Sequence, residues 1–134
     1  MAHYDLAEAI EIAGRAKGEL EPDMAELQAA TDDLLAALLE VGRRGGFQSS
    51  ADEGMRVVRW QTTGDSVAVA LHEGRIVCVR TSDKRITAPK VCFNAVSKLW
   101  EEAEYTPRAA ADRPRRSAVA VVVEEMVKLL RAHV

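Results

Sequence analysis

Between residues 55 and 81 the hydrophobic pattern takes a period of two and is cut twice by turn dipeptides, and no other stretch of the chain restricts the fold as much. Segments 55–62, 67–72 and 75–81 are rich in β-branched residues and are separated by Gly64-Asp65 and Glu73-Gly74, pairs suited to tight hairpins. They predict a three-strand antiparallel meander, and Ser82-Asp83-Lys84 turns the chain again toward a short edge strand over 85–87. With two residues in each hairpin loop, Leu71 opposes Ile76, Val69 opposes Cys78, Trp60 opposes Val69 and Val58 opposes Leu71. One face then collects Val58, Trp60, Val67, Val69, Leu71, Ile76 and Cys78, which makes it the core face. The other collects Val57, Arg59, Gln61, Ala68, Ala70, His72, Arg75, Val77, Val79 and Thr81. It is small and flat in the middle with cations around it, neither plainly solvated nor plainly buried.

Helical periodicity governs the flanks. Leu6, Ala9, Ile10, Ala13, Ala16 and Leu20 fall on one face of a helix over residues 5–20, and Gly18 and Pro22 end it and restart the chain. A second helix runs to residue 43 on Leu27, Thr31, Leu34, Leu38 and Val41, with Arg43 and Arg44 complementing its negative end and Gly45-Gly46 terminating it. Residues 47–54 read as a polar connector. After the meander, Thr87 can cap a helix with Pro89 in its first turn, whose stripe is Val91, Cys92, Ala95, Val96, Leu99, Trp100 and Ala103 and whose task is to cover the core face. Residues 105–114 form a loop with two prolines. Residues 117–134 begin with strand character, but Val119, Val122, Val123, Met126, Val127 and Leu130 repeat as a helix does, and the helical reading is preferred. The expectation is one α+β domain over residues 1–134: an acidic helical hairpin (1–46), a β-meander of three or four strands (55–88) and two C-terminal helices (89–134). Helices, then strands, then helices argue against a doubly wound parallel sheet.

A chain of 134 residues can bury a core without disulfides or metals. Cys78 and Cys92 have no CxxC spacing and no histidine at ligand distance in sequence, so both read as small core residues. The start carries no basic stretch followed by an apolar run, and no uninterrupted apolar segment approaches membrane length, so a soluble, cytoplasmic protein without a membrane partner is expected.

The net charge of −3 conceals a strong polarity. Residues 1–53 carry twelve acids against four bases, and residues 54–134 carry nine acids against fourteen bases. Either the halves dock on one another or a partner sees only one of them. The acidic candidates are Glu8, Glu11, Asp32 and Asp33 on the first two helices. The basic candidates are Arg75, Arg80, Lys84, Arg85 and Lys90, on a strand, its turn and the segment after it. Cations on a β-ribbon can neutralise phosphates in a major groove, but no exposed aromatic accompanies them, and a solvated hairpin edge is the commoner meaning. Arg108, Arg113, Arg115 and Arg116 lie around Pro107 and Pro114 and read as a soluble connector.

Catalytic chemistry has no motif here. The run from Gly42 to Gly46 follows a helix and lacks the Gly-Lys-Ser/Thr of a phosphate loop. Asp32-Asp33 and Glu124-Glu125 are helix neighbours that point about 100° apart, unsuited to sharing a proton. His3, His72 and His133 are dispersed, which gives no reason to expect a metal, a cofactor or a general base. The narrow helix stripes and the ambivalent sheet face need more covering surface than each element offers alone, which suggests a symmetric dimer. The reading is therefore a non-enzymatic protein–protein interaction module, an adaptor, regulator or inhibitor acting as a homodimer on an unidentified protein. The alternative is a nucleic-acid-binding regulator using the basic segment from Arg75 to Lys90.

Overall fold

The computed structural model describes residues 23–54 and 56–131. It is an α+β fold: helix α1 (Met24–Arg44), strands β1 (Gln48–Ala51), β2 (Val57–Gln61), β3 (Ser66–His72), β4 (Arg75–Arg80) and β5 (Ile86–Thr87), a hairpin of β6 (Val91–Asn94) and β7 (Leu99–Glu102), a short α2 (Pro107–Asp112), and α3 (Ala118–Arg131). The first five strands make one antiparallel sheet in chain order, and β6 and β7 make a second.

Helix α1 begins where Asp23 accepts the backbone N–H of Ala25 at 2.8 Å. It stops because Gly46, at φ 86, adopts a left-handed conformation that lets Gly46 N–H reach Arg43 O and Phe47 N–H reach Gly42 O. The Gly-Gly pair is a helix terminator, and the glycine-rich stretch is thereby accounted for. Leu27, Ala30, Leu34, Leu35 and Leu38 face inward. They meet Val58, Trp60, Val67, Val69, Ile76 and Cys78 of the sheet and Ala118, Val122, Met126 and Leu129 of α3. Helix α1 lies on the β1–β2 side of this face and α3 on the β3–β4 side. The predicted core face is the observed one, with Leu71 half-buried at its end.

The register of β3 on β4 is the predicted one, Leu71 opposite Ile76 and Val69 opposite Cys78. That of β2 on β3 is displaced by two: Trp60 opposes Val67 and Val58 opposes Val69. The loop holds four residues because Thr62 closes it, donating its N–H to Asp65 O and accepting at Oγ1 from Gly64 and Asp65. A shift of two leaves every side chain on its predicted face. The connector at 47–54 contains a further strand, β1, paired with β2.

Two expectations are corrected. The stripe from Val91 to Ala103 is the β6–β7 hairpin and not a helix, so one long C-terminal helix exists instead of two. Asn94 decides this: its side chain accepts the N–H groups of Val96 and Ser97, its carbonyl accepts that of Lys98, and Lys98 takes φ 60. Val96, expected inside, is 85% exposed, whereas Trp100 is buried and donates its indole N–H to Thr31 Oγ1 at 3.1 Å. Of the expected N-terminal helical hairpin, only the second arm is seen, as α1; the first arm, residues 5–20, lies outside the described residues. The C-terminal segment is helical, capped by Ser117 Oγ on the N–H of Ala120, and the loop at 105–114 contains α2.

Candidate functional site

The basic candidates diverge in position. Arg80 is buried at the end of β4, where it donates to both carboxylate oxygens of Asp83, at 3.0 and 2.5 Å, and to the carbonyl of Leu129 at 2.9 Å. This guanidinium ties the sheet to the last turn of α3. The pairing holds Asp83 far below the usual carboxylate range. Lys90 pairs with Glu104 at 3.5 Å. Arg75, Lys84 and Arg85 stay exposed, Lys84 in a turn at φ 57 and Arg85 with its N–H on Asp83 Oδ1. Among the acidic candidates, Asp32 accepts from Gln28 at 2.8 Å and Asp33 is exposed, both on α1, while Glu8 and Glu11 lie outside the described residues. Among the described residues an ion pair joins the acidic and basic halves: Lys98 of the β6–β7 turn meets Glu26 of α1 at 3.1 Å.

The second arginine cluster is a clasp rather than a loose connector. Glu102, buried on β7, takes two hydrogen bonds from Arg113 at 2.8 Å each, two from Arg116 through Nε and the backbone N–H at 3.1 Å, and an ion pair with Arg116 Nη2. Arg113 before all, then Arg116, pulls the Glu102 carboxyl down to about 2. Arg115 pairs with Glu101, Arg116 also with Glu124, and the Arg113 and Arg115 guanidinium carbons lie 5.2 and 4.8 Å from the centre of the Tyr105 ring. The sequence carried this pairing as two adjacent acids and two adjacent bases, but the helical reading of 91–103 hid it.

Cys78 is buried, and burial pushes its thiol up to about 12. Cys92, expected in the core, is exposed on β6. His72 sits beside Glu73 at 3.8 Å on the exposed β3–β4 turn, and His3 and His133 lie outside the described residues. Among the described residues no group of acids, histidines and cysteines has metal-binding geometry, and no helix is long and apolar enough to cross a membrane.

Two apolar surfaces stand out among the described residues. The first is the sheet face opposite the helices. Rows of Cα partners run Arg59, Ala68, Val79, Ile86 and Val57, Ala70, Val77. Its alanines and valines are only half-buried, Ile86 is 66% exposed, and Arg59, Gln61 and Arg75 stand at the margins. The second is a groove of ≈ 1130 Å³ between the start of α1, the β3–β4 turn and β6. Leu27, Leu71, Val91 and Phe93 form its apolar walls, with Met24 at its mouth. The groove exists because 91–102 folds as a hairpin, so it was invisible to the helical reading. Comparison with protein-family models, curated proteins and solved structures finds no match to this chain.

Proposed function

We propose that this protein is a non-enzymatic protein–protein interaction module that works as a homodimer, pairing the open faces of two sheets. One observation carries the reading: the face built from Val57, Ala68, Ala70, Val77, Val79 and Ile86 has no described helix over it, although the other side of the same sheet holds the hydrophobic core. Short side chains leave no pocket for a bulky anchor but let a second sheet approach to about 10 Å, and a two-fold axis then makes the contact self-complementary. Five strands spaced about 4.8 Å apart give a face roughly 20 Å on a side, which corresponds to about 800 Å² of total contact for two copies, the range of a weak and reversible association. Arg59 and Arg75 fall at the rim, where they stay hydrated and bias partner choice more than affinity. The adaptor or regulator role follows from a reversible pair able to exchange its copy for another partner.

Nucleic-acid binding is the less favoured reading, because Arg80 and Lys90, two of its five cations, are engaged with carboxylates. Molar mass by light scattering across a concentration series tests the dimer. The expected course rises from one chain toward two and collapses to one chain in Val77→Arg. A mass of one chain at every concentration, with the same profile in the variant, overturns the proposal.

A further inference from the structure

The second sheet has an open edge. Glu101 of β7 bridges to Ser117 on one side, whereas β6 pairs with β7 alone among the described residues. The ladder sets the direction of its backbone groups. Ala103 donates its N–H to Lys90 O at 2.8 Å, so the couples 90/103, 92/101 and 94/99 exchange hydrogen bonds and the couples 91/102 and 93/100 do not. The N–H and C=O of Val91 and Phe93 therefore point away from β7. Val91 gives its N–H to Pro89 O at 2.8 Å, but its carbonyl and both groups of Phe93 have no partner among the described residues. The edges of the larger sheet are of another kind. Strand β5 is two residues long, with Lys84, Arg85 and Pro89 around it, and β1 carries Gln48, Ser49 and Ser50. Strand β6 reads Val-Cys-Phe-Asn, with neither the lysine nor the proline that blunts an edge against pairing.

This edge borders the groove at the start of α1. Val91, Cys92 and Phe93 all line it, and since successive side chains leave a strand on opposite faces, the edge itself meets the groove. Leu27 and Leu71 supply apolar wall. Glu73 and Glu104 stand beside Arg75 and Lys90, and Lys90 is paired with Glu104, so the rim has no net charge and favours an occupant with none. We infer that β6 takes an extended, uncharged segment of another protein as an added strand, with Phe93 exchanging two hydrogen bonds with one of its residues and alternate apolar side chains entering the groove. A second copy is the poorer fit. Four residues of edge are about 13 Å long, and two folded copies joined along them cover far less than the roughly 1,200 Å² of a stable pair. A flexible segment follows edge and groove together. The site is separate from the open sheet face and needs no dimer, so either reading can fail without the other.

A display library of random linear heptapeptides, selected on the full chain, supplies the ligand for the test. Enriched sequences are expected to alternate apolar and polar residues and to carry no net charge. Backbone N-methylation, moved one position at a time along the best binder, is expected to lower affinity in alternation: roughly tenfold where the peptide N–H faces β6, and little at the neighbouring positions. Hydrogen exchange followed by NMR should find the Phe93 amide fast in the unliganded full chain and slow in the complex. Four results overturn the inference: no enrichment, enriched sequences that are charged or helically spaced, N-methyl effects without alternation, or a Phe93 amide already protected before peptide is added. The last would show the edge covered by the chain itself or by its copy.

Discussion

Trp60 gives its indole N–H to the carbonyl of Leu38 at 3.0 Å, and this contact fixes how closely α1 sits on the sheet. Phe47 stacks on the same ring with centroids 5.0 Å apart. Gly42 is the position that permits the approach, for a Cβ built there lies 2.1 Å from Ser49 Oγ and 2.3 Å from Trp60 Nε1.

Gly42→Ala is accordingly expected to destabilise the protein. Alanine gains up to about 1 kcal/mol from helix propensity. Overpacking against a buried ring costs about 1–3 kcal/mol, and the rigid indole cannot withdraw as a flexible chain would. The urea midpoint should fall, reflecting a net loss of up to about 2 kcal/mol. A midpoint equal to or above that of the unaltered protein would show that Trp60 does not set the spacing.

The Glu102 clasp makes stability sensitive to acid. Its carboxyl is drawn from an ordinary 4.5 down to about 2 in the fold. A depressed carboxylate stabilises fully above its unfolded value and loses that contribution as pH falls through the folded one. Unfolding free energy should thus decline between pH 4.5 and about 2, where Arg113 and Arg116 lose their partner. Glu102→Gln should lower stability at neutral pH and flatten this part of the profile, with residual slope from Asp83, which is also depressed. A variant that keeps the full acid slope would place the sensitivity elsewhere.

The meander could be read from residues because two independent cues coincide there, alternation and turn chemistry. That pair of cues placed Val58, Trp60, Val69 and Cys78 on the buried face even though one loop is longer than expected. In residues 91–103 the cues conflict. Val91, Cys92, Ala95, Val96, Leu99 and Trp100 match a helix by spacing, yet the Asn94 side chain closes a turn through them, and local side-chain bonding outweighs a pattern that Val96 and Leu99 leave unburied. Arg80 was visible as a cation but not as a buried one, since its acceptors are Asp83 and a carbonyl 49 positions away on α3. Both candidate surfaces depend on which elements fail to cover them, and that is a property of packing rather than of any segment.

The two thiols are expected to separate cleanly. Cys78, buried with its thiol held up near 12, has almost no thiolate and no access. Mass spectrometry after alkylation of the native protein should show Cys78 unmodified, and under denaturant it should react. Modification of Cys78 at the same rate as Cys92 in the folded protein would mean that the β3–β4 core opens far more often than its packing implies.

Pairing of the sheet faces also has a thermal signature. Association stabilises the folded chain by mass action, so the melting temperature of a dimer rises with protein concentration, whereas that of a monomer does not. Val77 lies on β4 opposite Ala70, facing away from the helices, and is only half-buried. Val77→Arg should leave the dilute protein within about 1 kcal/mol of its original stability, since the site borders no packed neighbour of the core. The same change should abolish the concentration dependence, because it sets two cations against each other across the two-fold axis. A melting temperature that is flat with concentration in the unaltered chain would sink the sheet-face dimer.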